Sequence, residues 1–294
     1  MTAGAPVETV AVIGPGRLGT VLARALASAG GRVVAVAGRG TAALDRFVAA
    51  VPTARPGSAP QAVATADLVL LTVSDDALPG VARSLAVADA VRPGGRWIHT
   101  SGRYGAAVLR PLALAGGRVA ACHPAQTFAT PDDGDALTGC AWAVTAAAGD
   151  VGWAGAFVRA VGGTPVEVDE AARVRYHAGL AIGANGTAAV VSLARDLLRS
   201  AGIAAPERFL SDLVERSAGN AARDGAAALT GPVRRGDVDT VRAHLDDLAT
   251  TWPEAVPAYR ALSRLALSYA ARAGLDPARV AAVRRILDDD DTER

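Results

Sequence analysis

Apolar residues between positions 8 and 168 fall into short runs separated by stretches with a helical repeat. The runs cover 9–13, 32–37, 67–73, 95–99, 118–122, 140–145 and 164–168. Each has strand length and is bounded by glycine, proline or polar residues. Between them, 17–29, 75–87 and 103–114 place apolar residues at helical spacing. Strand–helix alternation of this kind predicts an α/β fold with a doubly wound parallel sheet. After "VEVDEAAR" no strand pattern returns, and 170–287 reads as helices broken at "AGIAAPE", "TGPVRRGD", "TWPEAVP" and "AGLDPA" by glycine and proline. The chain therefore divides into an α/β part, 1–168, and an all-α part, 169–294.

The segment 178–194, "AGLAIGANGTAAVVSLA", is long and uncharged but built largely of Ala and Gly, with Arg173, Arg175, Arg195 and Asp196 close by. It is too weakly apolar for a membrane span and reads as a buried helix. A helix over Ala172–Ser200 is apolar around too much of its circumference for one exposed face. The expectation is burial by the remaining helices and by a second copy, a homodimer.

Composition narrows the chemistry. The net charge of +1 over 294 residues gives no field to hold nucleic acid or an anionic membrane. All 30 basic residues are arginine, which excludes Schiff-base catalysis, a phosphate-loop lysine and a lysine proton donor. Cys122 and Cys140 lie in apolar runs without metal-ligand spacing, so no metal is expected and both read as reduced thiols of a cytoplasmic protein. "MTAGAPVETV" lacks the pattern of a signal peptide, and "DDDDTER" reads as a solvated tail.

"VIGPGRLG" follows the first strand run and opens a helix, with Gly14, Gly16 and Gly19 in G-x-G-x-x-G spacing. In that context the loop cradles a dinucleotide pyrophosphate against a helix N-terminus. Gly14, Pro15, Gly16, Arg17, Leu18 and Gly19 are its candidate residues. The second strand ends in "AGRGT" rather than in the acid that holds a ribose diol. Arg39 and Thr41 suit a 2′-phosphate instead, so the expected cofactor is NADP.

Three polar clusters sit where strands end, the edge at which open α/β sheets bind ligands. Ser74 and Asp75 follow the third run and either cap a helix or line the cofactor groove. Ser101 lies in "HTSG" after the fourth, and His123 and Gln126 lie in "HPAQTF" after the fifth. His123 either lines the crevice or folds back into the core. On the helix that opens the second part, His177 and Asn185 are eight residues apart, about 12 Å along the axis and about 80° around it. They can line one groove but not hold one atom.

Together "VIGPGRLG", "TVSDDAL", "HTSG", "HPAQTF", "YHAGLAIGANG" and "LTGPVRRGD" resemble oxidoreductases that join a Rossmann-like domain to a C-terminal domain of unknown function, number 2520. These are relatives of ketopantoate reductase, pyrroline-5-carboxylate reductase and the 6-phosphogluconate dehydrogenase group. The resemblance implies a two-domain NADP-dependent reductase with a helical, dimerising second domain. Ketopantoate reductases carry a lysine and two asparagines where this chain has His177, Ala181 and Asn185.

The expected activity is NADPH-dependent reduction of a small carbonyl compound, with a ketopantoate-like 2-oxo acid first. Reduction of a cyclic imine of the pyrroline-5-carboxylate type, or dinucleotide sensing without turnover, is the alternative. His177 is the expected proton donor and His123 the residue that positions the substrate or the nicotinamide amide. Arg103, Arg175 and Arg235 are candidates to pair with a substrate carboxylate.

Overall fold

The computed structural model describes residues 8–128, 130 and 134–289. Its strands are β1 (Thr9–Ile13), β2 (Arg32–Ala37), β3 (Arg55–Pro56), β4 (Leu68–Leu71), β5 (Arg96–His99), β6 (Arg118–Pro124), β7 (Ala141–Ala146) and β8 (Thr164–Glu167). The helices before residue 185 are α1 (Arg17–Ser28), α2 (Thr41–Ala50), α3 (Ala59–Val63), α4 (Leu78–Val87), α5 (Arg110–Leu114), α6 (Val151–Ala160) and α7 (Arg173–Ala181). A π-helical turn, Ile182–Gly186, separates α7 from α8 (Thr187–Ser200). Then follow α9 (Glu207–Asp224), α10 (Pro232–Arg235), α11 (Val238–Thr251), α12 (Val256–Arg272) and α13 (Pro277–Asp288).

The strands form one sheet in the order β3-β2-β1-β4-β5-β6-β7-β8. Alternation along each strand sends successive side chains to opposite faces. Val10, Val12, Leu68, Leu70 and Ile98 pack with Val21 and Leu22 of α1, Phe47 of α2 and Phe157 of α6. Ala11, Ile13, Val69, Leu71 and Trp97 pack on the other face with Val63 of α3, Leu85 of α4 and Leu112 of α5. Both faces are thus covered by helices, as a sheet of parallel strands requires.

The expected doubly wound parallel sheet is found, with one pair that departs from it: β6 and β7 run antiparallel, with His123 opposite Ala143. Among the described residues of 125–140 there is no crossover helix long enough to return the chain to the same edge. α4 also starts three residues later than expected, at Leu78, and its N-cap is Ala77 without a side-chain cap. Ser74 is therefore no helix cap.

The chain forms two compact units, Met1–Asn185 and Gly186–Arg294. The sequence pattern placed the division at Val168, where strands stop. The boundary lies later because α7 is held by the sheet: Arg173 is 1% exposed and bonds strand carbonyls. In the second unit, Val233, Val241, Leu245, Leu267, Val283 and Leu287 form a small core. Asp237 caps α11 by accepting from the Thr240 N–H.

The helix over 178–194 is not buried by the rest of the chain. Arg173 is the buried residue of α7, and α8 has none. Val174 and Ile182 are more than 70% exposed. By length and composition Glu170–Ser200 meets the requirement for crossing a membrane. Its first turns, however, place Arg173 among the carbonyls of the sheet. Residues 1–7 of the N-terminal stretch and 290–294 of the acidic tail lie outside the described residues.

Candidate active site

Strand order reverses between β1 and β4, and the turn Gly14–Gly16 leaves β1 at that point. Gly14 has φ +108°, and a β-carbon there would stand 2.7 Å from the Thr72 carbonyl carbon. Its N–H donates to Ala37 O at 2.9 Å, and Thr72 Oγ1 donates to its carbonyl at 2.7 Å. A β-carbon at Gly19 would lie 2.5 Å from Gly14 O, so α1 packs directly on the turn. Around Gly16 there is open space to 4 Å. Gly16 is also the N-cap of α1 and brings no side chain to cap it, the arrangement in which a helix start accepts an anion.

This turn borders a cavity of 790 Å³ whose lining includes Gly14, Pro15, Gly16, Arg39, Ser58 and Ser74. Among the described residues its lining holds no aspartate or glutamate, and Arg39 is its charged side chain. These features fit a dinucleotide with a 2′-phosphate. Leu18, Gly19, Arg17, Thr41 and Asp75 do not line it. Leu18 packs on the core and Gly19 is buried because α1 turns both toward the sheet. Thr41 is the first residue of α2 and exposed. Asp75 lies in the turn before α4, next to Ser74.

A second cavity, 410 Å³, is lined by His123, Gln126, Thr127, His177, Ala181 and Asn185, among others. The rings of His123 and His177 meet edge to face at 5.9 Å and 88°. His123 ends up here because β6 continues through Pro124 and pairs with β7, rather than stopping at Cys122. Asn185 shares the cavity with His177 because the π-helical turn changes the rotation per residue between them. Ser101 does not line this cavity. It is 8% exposed, accepts from the Tyr104 N–H at 3.3 Å and donates its own N–H to His99 Nδ1 at 3.2 Å. With Nδ1 an acceptor, His99 Nε2 carries the proton donated to Gly105 O at 2.9 Å.

Burial lowers the pKa of His123 to about 4, aided by Arg173 and by the neighbouring His177. His99 is lowered to about 4 by the same loss of water. Both are neutral near pH 7. His123 Nδ1 lies 2.9 Å from the hydroxyl of Tyr176, whose pKa burial raises, so that the phenol keeps its proton. Arg103, Arg175 and Arg235 line neither cavity. Arg103 bonds the adjacent Tyr104 hydroxyl, and Arg235 caps Thr230 O. Tyr176 and Arg173 were not singled out from sequence. Positions 173, 176 and 177 share one helix face, and that spacing beside His177 was the available signal.

Residues 4–124 match the family model described as a Rossmann-like domain, and residues 140–266 match the domain of unknown function DUF2520. The protein joins a Rossmann-like domain to a DUF2520 domain. No curated protein matches it in sequence. A solved protein from Bacteroides fragilis designated an NADP oxidoreductase is 22% identical, covering 88% of this chain and 97% of its own, with a TM-score of 0.72. An imine reductase from Myxococcus stipitatus in complex with NADP+ is 18% identical, covering 94% and 99%, with a TM-score of 0.67. A pyrroline-5-carboxylate reductase from Coxiella burnetii is 16% identical, covering 95% and 98%, with a TM-score of 0.56. The Rossmann-like/DUF2520 chain shares the fold of these proteins along nearly its whole length.

Proposed function

We propose that the protein is an NADPH-dependent reductase of a small C=N compound, a cyclic imine being the first substrate class. The observation that carries this reading is the composition of the histidine cavity. Among the described residues it is lined by two histidines, amides, a hydroxyl and small apolar groups, with no arginine. A 2-oxo acid brings a carboxylate that calls for a cation, whereas a neutral imine needs a donor at nitrogen and an apolar surround. The imine reductase among the structural neighbours supports the same choice over the 2-oxo acid expected first, and the missing arginine weighs equally against an imine that carries a carboxylate.

The residues that would hold the cofactor are Gly14, Pro15 and Gly16 at the pyrophosphate and Arg39 at the 2′-phosphate. Reduced nicotinamide supplies a hydride to the imine carbon when bound. The chain itself must orient the substrate, exclude water and deliver a proton to nitrogen. His123 and His177 stand at the cavity wall for that last task, with Gln126 and Asn185 able to orient the ring. The test is consumption of NADPH against five- and six-membered cyclic imines and, in parallel, 2-oxo acids. Turnover confined to 2-oxo acids would reverse the substrate choice, and tight NADPH binding without any turnover would favour a sensor.

We further propose a homodimer. Val174 and Ile182 lie exposed in one unit, as do Val190, Phe209 and Leu213 in the other. Apolar side chains this exposed on successive helices are more than a monomer's surface commonly carries. A second copy is the partner proposed, through the isologous contact most soluble oligomers use. Both cysteines are free thiols, which supports a cytoplasmic setting.

A further inference from the structure

Arg173 is the most deeply buried charged side chain among the described residues, 1% exposed, and its partners are unusual for a buried cation. Nε donates to Thr145 Oγ1 at 2.8 Å, and that hydroxyl in turn donates to Val168 O. Nη2 donates to Ala121 O at 2.9 Å and Ala143 O at 3.2 Å. Nη1 reaches the carbonyls of Ser101 and Gly102 at 3.5 Å. Every partner is neutral, and no ion pair among the described residues includes Arg173. A buried charge is costly unless paired and hydrogen-bonded. Here the dipoles of four backbone carbonyls, two within β6 and β7 and two in the loop after β5, take the place of a bonded anion. The positive charge is therefore held mainly by dipoles, with the Glu170 carboxylate acting on it only through space, and its field falls on whatever lies beside it.

What lies beside it is the relay behind the cavity. The guanidinium carbon is 5.8 Å from the centre of the Tyr176 ring, one helical turn along α7. The Tyr176 hydroxyl is bonded to His123 Nδ1, and His123 lines the cavity while Tyr176 does not. Nε2, at the far side of the same ring, lies where a β-carbon on Gly102 would be 3.0 Å away. Of the two cavity histidines, His123 is the one with a hydrogen-bonded partner behind it among the described residues.

A neutral imidazole bonded to a phenol has two arrangements. In one, Tyr176 donates to Nδ1 and the ring carries its proton on Nε2. In the other, Nδ1–H donates to the phenol and Nε2 is bare. A cation beside the phenol favours the arrangement in which oxygen gives up its proton, since negative charge growing on that oxygen is stabilised. We infer that Arg173 is a positioning residue that sets the polarity of this pair, so that Tyr176 donates to His123 and His123 presents Nε2–H to the substrate nitrogen. This rests on the reductase reading above, and it moves the donor from His177, expected from sequence, to His123.

The proton step balances without any further reagent. The Nε2–H bond breaks as the new N–H bond forms on the substrate. The Tyr176 O–H bond breaks as Nδ1–H forms, leaving His123 neutral throughout. A proton from solvent then enters at Nε2 as the Nδ1 proton returns to the Tyr176 oxygen, which restores the starting tautomer and leaves no tyrosinate beside Arg173. His123 never needs to become imidazolium, which agrees with the surroundings that hold it neutral. The charged and titratable groups facing it are Arg173 and His177 on α7, Asp75 before α4 and His99 on β5, with Tyr176 on its Nδ1.

The direct test reads the imidazole nitrogens by NMR on isotope-labelled, full-length protein with no nucleotide or substrate present. In the unaltered protein His123 is expected as the Nε2–H tautomer near neutral pH. Arg173→Gln, which keeps hydrogen-bond donors and removes the charge, should raise the proton affinity of His123 at least ~10-fold and mix its tautomers. Arg173→Lys should preserve both. A Nδ1–H tautomer in the unaltered protein, or a folded Arg173→Gln with unchanged titration, overturns the inference. If Arg173→Gln does not fold, Tyr176→Phe decides: the tautomers should mix, and an undisturbed tautomer overturns it. With an imine substrate in hand, Tyr176→Phe should lower kcat about 10²–10³-fold with KM nearly unchanged; an unchanged kcat ends the relay. Because the NMR readout needs no turnover, an inactive protein with the expected tautomer would refute the reductase reading and leave the polarity standing.

Discussion

Gly102 lies directly against His177: a β-carbon at position 102 would stand 2.4 Å from Cδ2 of His177 and 3.0 Å from Nε2 of His123. The smallest substitution therefore displaces both cavity histidines. Gly102→Ala should leave NADPH affinity within about threefold, since residue 102 does not line the cofactor cavity. Turnover of an imine should fall at least ~10-fold, because a displacement of about 1 Å in a reacting group can cost that much or more. Equal turnover in the variant would show that the histidine pair tolerates movement and does not touch the reacting atoms.

Acid should destabilise the fold through its buried histidines. His99 and His123 titrate at about 4 in the folded chain and near 6.5 when unfolded. Between these values the unfolded state binds more protons, so stability rises with pH and falls as pH drops from about 6.5 toward 4. Urea unfolding between about pH 7 and pH 5, above the range where carboxylates titrate, should show this decline. A flat profile would mean that water reaches both rings.

Cofactor preference should reside in Arg39. NADPH is expected to bind at least ~10-fold more tightly than NADH, as a charge-assisted hydrogen bond contributes about 1.5–3 kcal/mol. Arg39→Ala should remove most of that difference. Calorimetric titration giving the same NADPH affinity in the variant would make Arg39 an ordinary surface residue.

Assembly should follow from the uncovered apolar side chains. Sedimentation at micromolar concentration is expected to give twice the 29.6 kDa chain mass. Val190→Asp together with Leu213→Asp, both on exposed positions, should shift the equilibrium to monomer. A monomeric unaltered protein would leave those faces to another partner.

Much of this was legible in the order of residues, and what was not has physical causes. β1 and β2 match the apolar runs at 9–13 and 32–37, because a strand covered on both faces must be apolar throughout. The two-residue β3, Arg55–Pro56, carries no such run and is exposed, so nothing in the pattern marks it. The direction of β7 is not encoded in its own residues. It follows from the connection between β6 and β7, whose described residues hold no crossover helix. At the site, His123, Gln126, His177 and Asn185 could be named from strand ends and one helix. The links from Arg173 to the carbonyls of Ala121 and Ala143 and from Tyr176 to His123 join residues 30 to 53 apart. Only the folded sheet brings them together. Ser101 was drawn from the right turn but faces inward, since its N–H is needed by His99.

The central claim is hydride transfer to a C=N carbon beside His123, and isotope transfer tests it most directly. NADPH carrying deuterium at the reactive ring carbon is incubated with the protein and a cyclic imine, and the amine product is examined by mass spectrometry and NMR. The account predicts one deuterium, at the former imine carbon, and a rate lowered about 10²–10⁴-fold by His123→Ala. Tight NADPH binding with no deuterium in any amine product would contradict it.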